Sequence, residues 1–222
     1  MNSFKLVYTN IAMFLCLSSI LYISLPGLDH NGFYLLNGQL YFYPHALLVF
    51  IACLNHEFEN YLNLALIMMS IVLGKPKEQS SAQYIGMIIC AIIWYELCFQ
   101  CISSLEDHNY FTRSSPSYSL HVFNLNEVVP FKTKVFASSC FPSGHAMTMG
   151  YWSALANILF KKSIRGPILI LSISGCLPRL IAGAHWVSDV LMGYCLGQIF
   201  FSAYYQIIVS MKTSQKELST VV

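Results

Sequence analysis

Charge is what this sequence has least of. Only 10% of its 222 residues are Asp, Glu, Lys or Arg, against roughly 25% in a soluble globule, while 56% are hydrophobic. That excludes an ordinary water-soluble domain and makes lipid the chain's solvent. The net charge is +2 and there is no basic run, so nothing in the electrostatics suits nucleic acid. No internal repeat or low-complexity tract appears, which removes solenoids and arrays. Cysteine is not scarce, but useful cysteine spacing is. Cys16, Cys53, Cys90, Cys98, Cys101, Cys140, Cys176 and Cys195 lie mostly inside apolar runs, and Cys98 and Cys101 have no second pair with which to complete a zinc site. They read as small hydrophobes, with Cys140 the one candidate for a reactive thiol.

What is there is a series of apolar runs of bilayer length. Leu6 to Leu25 follows Lys5 and closes at Pro26-Gly27; about twenty such residues span a bilayer and exceed a signal-peptide core, so this is read as an uncleaved first helix. Residues 26 to 43 are polar and aromatic, suited to the interface. Residues 44 to 73 could cross once or twice. Lysine placement decides: Lys5, Lys75, Lys77, Lys161, Lys162, Arg165, Lys212 and Lys216 share the cytoplasmic side only if there is one crossing, near 56 to 73, with 44 to 54 in or dipping into the outer interface. Tyr84 to Ser104 is the third span and carries Glu96, a weak site candidate whose plainer reading is an interhelical hydrogen bond. A polar loop, 105 to 141, follows. Ala146 to Phe160, Ile168 to Gly183 and Trp186 to Val209 are spans four to six, and 212 to 222 is a short polar tail read as disordered. The predicted fold is all-α: residues 1 to 222 form a single integral-membrane domain, a bundle of six transmembrane helices with a polar site on the outward side.

Two clusters supply that site. Phe141-Pro-Ser-Gly-His145 stands where the polar loop meets an apolar run. Pro142 and Ser143 suit a helix start, whose first N–H groups can hold an anion; Gly144 lets a ligand approach the backbone, and His145 can carry a proton. The plain alternative is a helix start with an incidental histidine. In the second cluster, Arg179, His185 and Asp189 fall within eleven residues. Residues 185 and 189 are four apart, which predicts one helical face, with the carboxylate taking an imidazole N–H and leaving the other ring nitrogen to attack. Arg179 brings a planar, always-charged fork suited to phosphate oxygens. A structural ion-pair network is the alternative here. The topology puts Arg113, His145, Arg179, His185 and Asp189 on the side opposite the lysine-bearing loops.

Pro142-Ser-Gly-His145 followed by Arg179-x5-His185-x3-Asp189 resembles motifs two and three of the type 2 phosphatidic-acid phosphatases, the membrane relatives of vanadium haloperoxidases. The likeness covers roughly residues 84 to 210, the expected catalytic core. It implies that His185 is a nucleophile forming a phosphohistidine, that Asp189 orients it, and that His145 protonates the leaving oxygen and then helps activate water. Ser143, Gly144 and Arg179 would hold the phosphate, with no metal or other cofactor. The substrate would be a lipid phosphate or diphosphate, and in a Gram-negative host the site would face the periplasm from the inner membrane.

The chain departs from that pattern in its first motif, Lys-x6-Arg-Pro. Around Arg113, Glu106 and Ser114 occupy the Lys and Pro positions, and Pro178 precedes Arg179 where Ser is usual. Arg113 remains the expected phosphate contact, with Lys132 or Lys134 supplying the missing charge; a solvated loop residue is the alternative for either lysine. Arg113-Ser-Ser-Pro-Ser117, Asn124-Leu-Asn-Glu127 and Asn55-His56 also resemble the branch that transfers phosphate to lipid A from undecaprenyl diphosphate. A transporter would share buried charges but typically shows broken helices or two-half symmetry, and neither is visible. A soluble vanadate-dependent haloperoxidase is at odds with six spans.

If the charge asymmetry sets the orientation, a cysteine introduced at residue 120 is labelled by an impermeant maleimide from outside the cell. Labelling only after permeabilisation would reverse the predicted topology.

Overall fold

The computed structural model describes residues 17–20, 23–56, 80–107, 113–120, 122–160 and 162–221, with residues 65 and 69. The proposed crossing near 56 to 73, most of the first apolar run and the lysines at 5, 75, 77 and 161 lie outside them. All regular structure among the described residues is helical: α1 Pro26–Asn37, a 3₁₀ turn Gly38–Phe42, α2 His45–Leu54, α3 Ser81–Asp107, α4 Pro116–Ser119, a 3₁₀ turn Leu125–Glu127, α5 Gly144–Leu159, α6 Lys162–Ile181 and α7 Val187–Val221. Of these, Ser81–Leu105 is long and apolar enough to cross a bilayer.

The architecture centres on α5, most of whose side chains are buried. Ala146, Met149, Trp152 and Ala156 pack against Ile168, Cys176 and Leu180 of α6 and Val190 and Tyr194 of α7. Tyr151, Ala154 and Leu155 meet Tyr84, Ile88 and Ala91 of α3 and Phe201 and Tyr204 of α7. Buried hydroxyls in these layers find partners, as apolar surroundings require. Tyr151 Oη donates to the Ala91 carbonyl at 2.6 Å, and Tyr194 Oη lies 2.7 Å from Ser172 Oγ and 2.9 Å from Ser153 Oγ. Between α5 and α7 the contact is backbone on backbone. A Cβ on Gly150 would fall 2.1 Å from the Tyr194 carbonyl oxygen, one on Gly193 2.2 Å from that of Ser143, and one on Gly197 2.0 Å from that of Met147. Such small-residue seams gain their stability from close approach of the two backbones.

The described residues between α3 and α5 are tied to the rest of the molecule by hydrogen bonds and packing. Ser117 Oγ bridges to the carbonyls of Val135 (3.0 Å) and Gly183 (2.7 Å). Gly183 has φ +80, and a side chain there would also collide with Ser117 Oγ. Leu125 and Val135 pack with Leu40, Leu48, Ile51 and Ala182, so α2 is capped by the loop on its buried side.

Three sequence expectations change. The interfacial segment 26 to 43 contains a helix, α1. The tail expected to be disordered continues α7 to Val221, because neither Gly nor Pro follows Gly197 and Lys, Gln, Glu and Leu sustain a helix. Glu96 is exposed, and among the described residues it accepts a hydrogen bond from Gln100 of its own helix at 2.7 Å, a partner one turn away.

Gly197→Ala should destabilise the protein by about 1–3 kcal/mol, because the α5–α7 backbones must separate to admit a methyl group. Gly86→Ala in α3, where nothing lies within 4 Å, should be neutral or mildly stabilising. Thermal denaturation in detergent separates the two.

Candidate active site

α5 and α7 begin at the same end of the molecule. Ser143 is the N-cap of α5; its Oγ accepts from the Ala146 N–H at 3.4 Å and its carbonyl from Met147 N–H at 3.0 Å. Its own N–H donates to the Asp189 carbonyl at 3.0 Å, which ties the two starts together. Trp186 caps α7, and Asp189 in the first turn reaches back so that Oδ2 accepts from the Trp186 N–H at 2.8 Å, half of a capping box.

That capping changes the expected geometry of the histidine. His185 precedes α7 and does not share a helical face with Asp189. Its Nδ1 lies 2.8 Å from the Cys140 carbonyl oxygen and 3.9 Å from Asp189 Oδ2. A carbonyl only accepts, so Nδ1 carries the proton and Nε2 the lone pair. The backbone therefore fixes the tautomer, and the carboxylate acts on the ring through its charge. Burial, then the Lys134 charge, lower the His185 pKa from 6.5 to about 3, with the Cys140 hydrogen bond opposing them. The imidazole is neutral at any physiological pH.

Asp189 is fully buried and draws on three donors. Besides the Trp186 N–H, the Cys140 thiol donates to it at 3.0 Å and Arg113 Nη1 at 3.0 Å. Arg113 Nη2 meets Asp29 Oδ2 at 2.6 Å, its Nη1 also donates to Ser188 Oγ, and its guanidinium lies 4.7 Å over the Trp186 ring. Asp29, itself fully buried, accepts from the Ser188 N–H (3.1 Å) and Oγ (2.6 Å). Arg113, expected at the phosphate, is instead shared between two carboxylates, which satisfy its fork more completely than a passing anion could. Asp29 went unnoticed in the sequence because its partners are 84 and 159 residues away. Burial foremost, and then the Asp189 charge, push the Cys140 pKa far up, which disfavours the thiolate that a reactive cysteine needs.

A cavity of about 110 Å³ lies beside this cluster, lined by Phe99, Ile102 and Ser103 of α3, Lys134, Ser139, Cys140 and Pro142 of the loop, Gly144 and Met147 of α5, and His185. Roughly 300–1,000 Å³ encloses a whole drug-sized ligand, so this space suits a compact polar group with an apolar flank. Gly144 stands at the first position of α5, where the N–H has no intrahelical acceptor. A Cβ there would lie 3.0 Å from the Phe99 ring. Of the two candidate lysines, Lys134 lines the cavity and Lys132 does not. Ser139, absent from the sequence candidates, places a hydroxyl in the wall whose Oγ has no hydrogen-bond partner among the described residues.

Of the expected members, Arg113, Lys132, Ser143, His145, Arg179 and Asp189 stand outside the lining. His145 Nε2 is 3.0 Å from the Gly175 carbonyl. Arg179 is buried, its Nη1 donating to Asn55 Oδ1 (2.9 Å) and to the Asn55 carbonyl (3.3 Å). Cys140, His185 and Asp189 also bring three potential metal-ligand atoms within 4.8 Å of one another. The thiol and Nδ1 protons already satisfy acceptors there and Arg113 neutralises the carboxylate, so a cation would have to displace all three.

The family model of the PAP2 superfamily matches residues 83–211, more than half of the sequence, and the chain belongs to that superfamily. Lipid A 1-diphosphate synthase of Escherichia coli (strain K12) is 30% identical over 82 residues, 36% of this chain and 35% of that protein, so the alignment spans about a third of each. The crystal structure of the first transmembrane PAP2-type phosphatidylglycerolphosphate phosphatase, from Bacillus subtilis, superimposes with a TM-score of 0.54 over 91% of this chain and 96% of that one at 16% identity. That likeness is one of fold.

Because the folded protein keeps His185 neutral while the unfolded chain takes up a proton near 6.5, the contribution of His185 to stability should fall as pH drops from about 6.5 toward 3. The limit for one such group is about 1.4 kcal/mol per pH unit. Thermal melts of wild type and His185→Asn between pH 4 and 7.5 test this: the variant should show the shallower slope.

Proposed function

We propose that this protein is an integral-membrane phosphatase acting on a lipid phosphate or diphosphate through a phosphohistidine on His185. The observation that carries the reading is the Nδ1–H bond of His185 to the Cys140 carbonyl, which leaves a neutral Nε2 lone pair on a ring lining a cavity that also holds Lys134 and the start of α5. Nε2 attacks phosphorus; a P–N bond forms as the P–O bond to the lipid breaks. His145 delivers a proton to the departing oxygen. Water then attacks, the P–N bond breaks, and His145 takes the water proton as phosphate leaves.

Asp189 balances the positive charge that develops on His185 from 3.9 Å away. Lys134 and the Gly144 N–H meet the phosphate oxygens, and Ser139 Oγ adds a donor. Arg179 acts from behind this wall; its charge already reaches His185. The cavity takes the phosphate headgroup, and the apolar flank of Phe99, Ile102 and Met147 meets the first carbons of a tail. Six crossings with the site on the outer face, the inner membrane's periplasmic side in a Gram-negative host, complete the proposal.

A second reading is transfer to another lipid phosphate instead of water. The named activity of the Escherichia coli relative, synthesis of a lipid A 1-diphosphate, favours it. Both share the first half-reaction, so incubation with radiolabelled undecaprenyl diphosphate, with and without lipid A, separates them by whether the label appears as phosphate or in lipid A.

His185→Ala should lower kcat/KM by several orders of magnitude in folded protein, whereas Asp189→Asn should cost less. His145→Ala should lose about a hundred- to ten-thousand-fold on an aliphatic phosphate monoester, whose alkoxide must be protonated. It should keep a much larger share on p-nitrophenyl phosphate, whose leaving group needs little help. Equal losses on both substrates would refute the acid role.

A further inference from the structure

The segment before residue 83 lies outside the family match, yet it supplies a fully buried polar residue, Asn55, to the basic wall of the site. Asn55 directly follows α2. Its Nδ2 donates to the Lys134 carbonyl at 2.6 Å, and its own carbonyl accepts from the Lys134 N–H at 3.2 Å. That reciprocal pair fixes the backbone of the one lysine that lines the cavity. On its other side, Asn55 Oδ1 and the same carbonyl both receive Nη1 of Arg179. One side chain therefore holds two cations that come from segments 45 residues apart, on the loop and on α6. The neutral amide is well suited to this: its oxygen orients the guanidinium without neutralising it, and its nitrogen serves a carbonyl that a carboxylate would repel.

We infer that Asn55 is a positioning residue for phosphate recognition, setting Lys134 and Arg179 at the spacing at which both charges act on the bound phosphate. This rests on the phosphatase reading above. Removing the amide frees the loop backbone around Lys134 and lets the guanidinium turn, so the loss falls on anion binding more than on the bond-breaking step. Asn55→Asp separates the two halves of the role: it keeps an oxygen for Arg179 but loses the donor to Lys134 and cancels part of the positive charge.

The test uses full-length protein in detergent, a short-chain diacylglycerol phosphate as substrate and inorganic phosphate as competitive inhibitor. Asn55→Ala and Asn55→Asp should each raise KM and the phosphate inhibition constant by about tenfold or more, with kcat within about threefold of wild type. Asn55→Ala combined with Arg179→Ala should be little worse than Arg179→Ala alone, since Asn55 acts partly through that residue. The inference is overturned if KM and the inhibition constant stay within twofold while Arg179→Ala or Lys134→Ala is impaired. Losses that fall mainly on kcat, with a lowered Tm and full additivity in the double variant, also overturn it, by marking a structural role. If neither Arg179→Ala nor Lys134→Ala changes KM, the anion wall of the proposed function fails, and the inference with it.

Discussion

Everything at the reactive end depends on how one guanidinium is divided between two buried carboxylates. Arg113 comes from the loop, Asp29 from α1 and Asp189 from the first turn of α7, and the three meet with Nη-to-oxygen distances of 2.6 and 3.0 Å. Two carboxylates without exposure beside one partly exposed cation are costly to assemble, and removing one member of such a cluster typically costs about 3–5 kcal/mol. What the arrangement secures is geometry. Ser188 and Trp186 are bound into it, so the turn that carries His185 is held by side chains from three parts of the chain.

The pattern of apolar runs disclosed the helices that form the core. α3, α5, α6 and α7 fall close to the stretches expected, because burial against neighbours and spacing between polar loops are both written locally. The site was half legible for the same reason. Ser143 is a helix cap and Gly144 meets the cavity, as the Pro-Ser-Gly-His run suggested. The His185–Asp189 spacing predicts a shared face only within a helix, and α7 starts at Val187, after the histidine. The Asp at the third helical position, reaching back to a backbone N–H, was the available signal.

Asp29 is not legible as a site residue, and Asn55 is marked only as part of the short Asn55-His56 signal, with no role attached. Each makes its decisive contacts with residues 79 to 159 positions away, and no period connects them. A lone aspartate in a polar, aromatic stretch looks like an interfacial residue until Arg113 and Ser188 stand beside it. Likewise, nothing in the spacing separates Lys132 from Lys134. The distinction comes from which residue Asn55 holds by its backbone.

The glycine contacts along α5 and α7 carry one consequence for how such a protein can diversify. Where backbone rests on backbone, no side chain exists to be exchanged, and Gly150, Gly193 and Gly197 leave that jaw with a single workable form. The opposite jaw is built from side chains: Phe99, Ile102 and Ser103 on α3, and Lys134 and Ser139 on the loop. Its α3 part can be rewritten one residue at a time without touching the Cys140 carbonyl that holds the histidine. On the proposed function, a change of lipid headgroup is therefore a change of one jaw, made against a partner that cannot follow it.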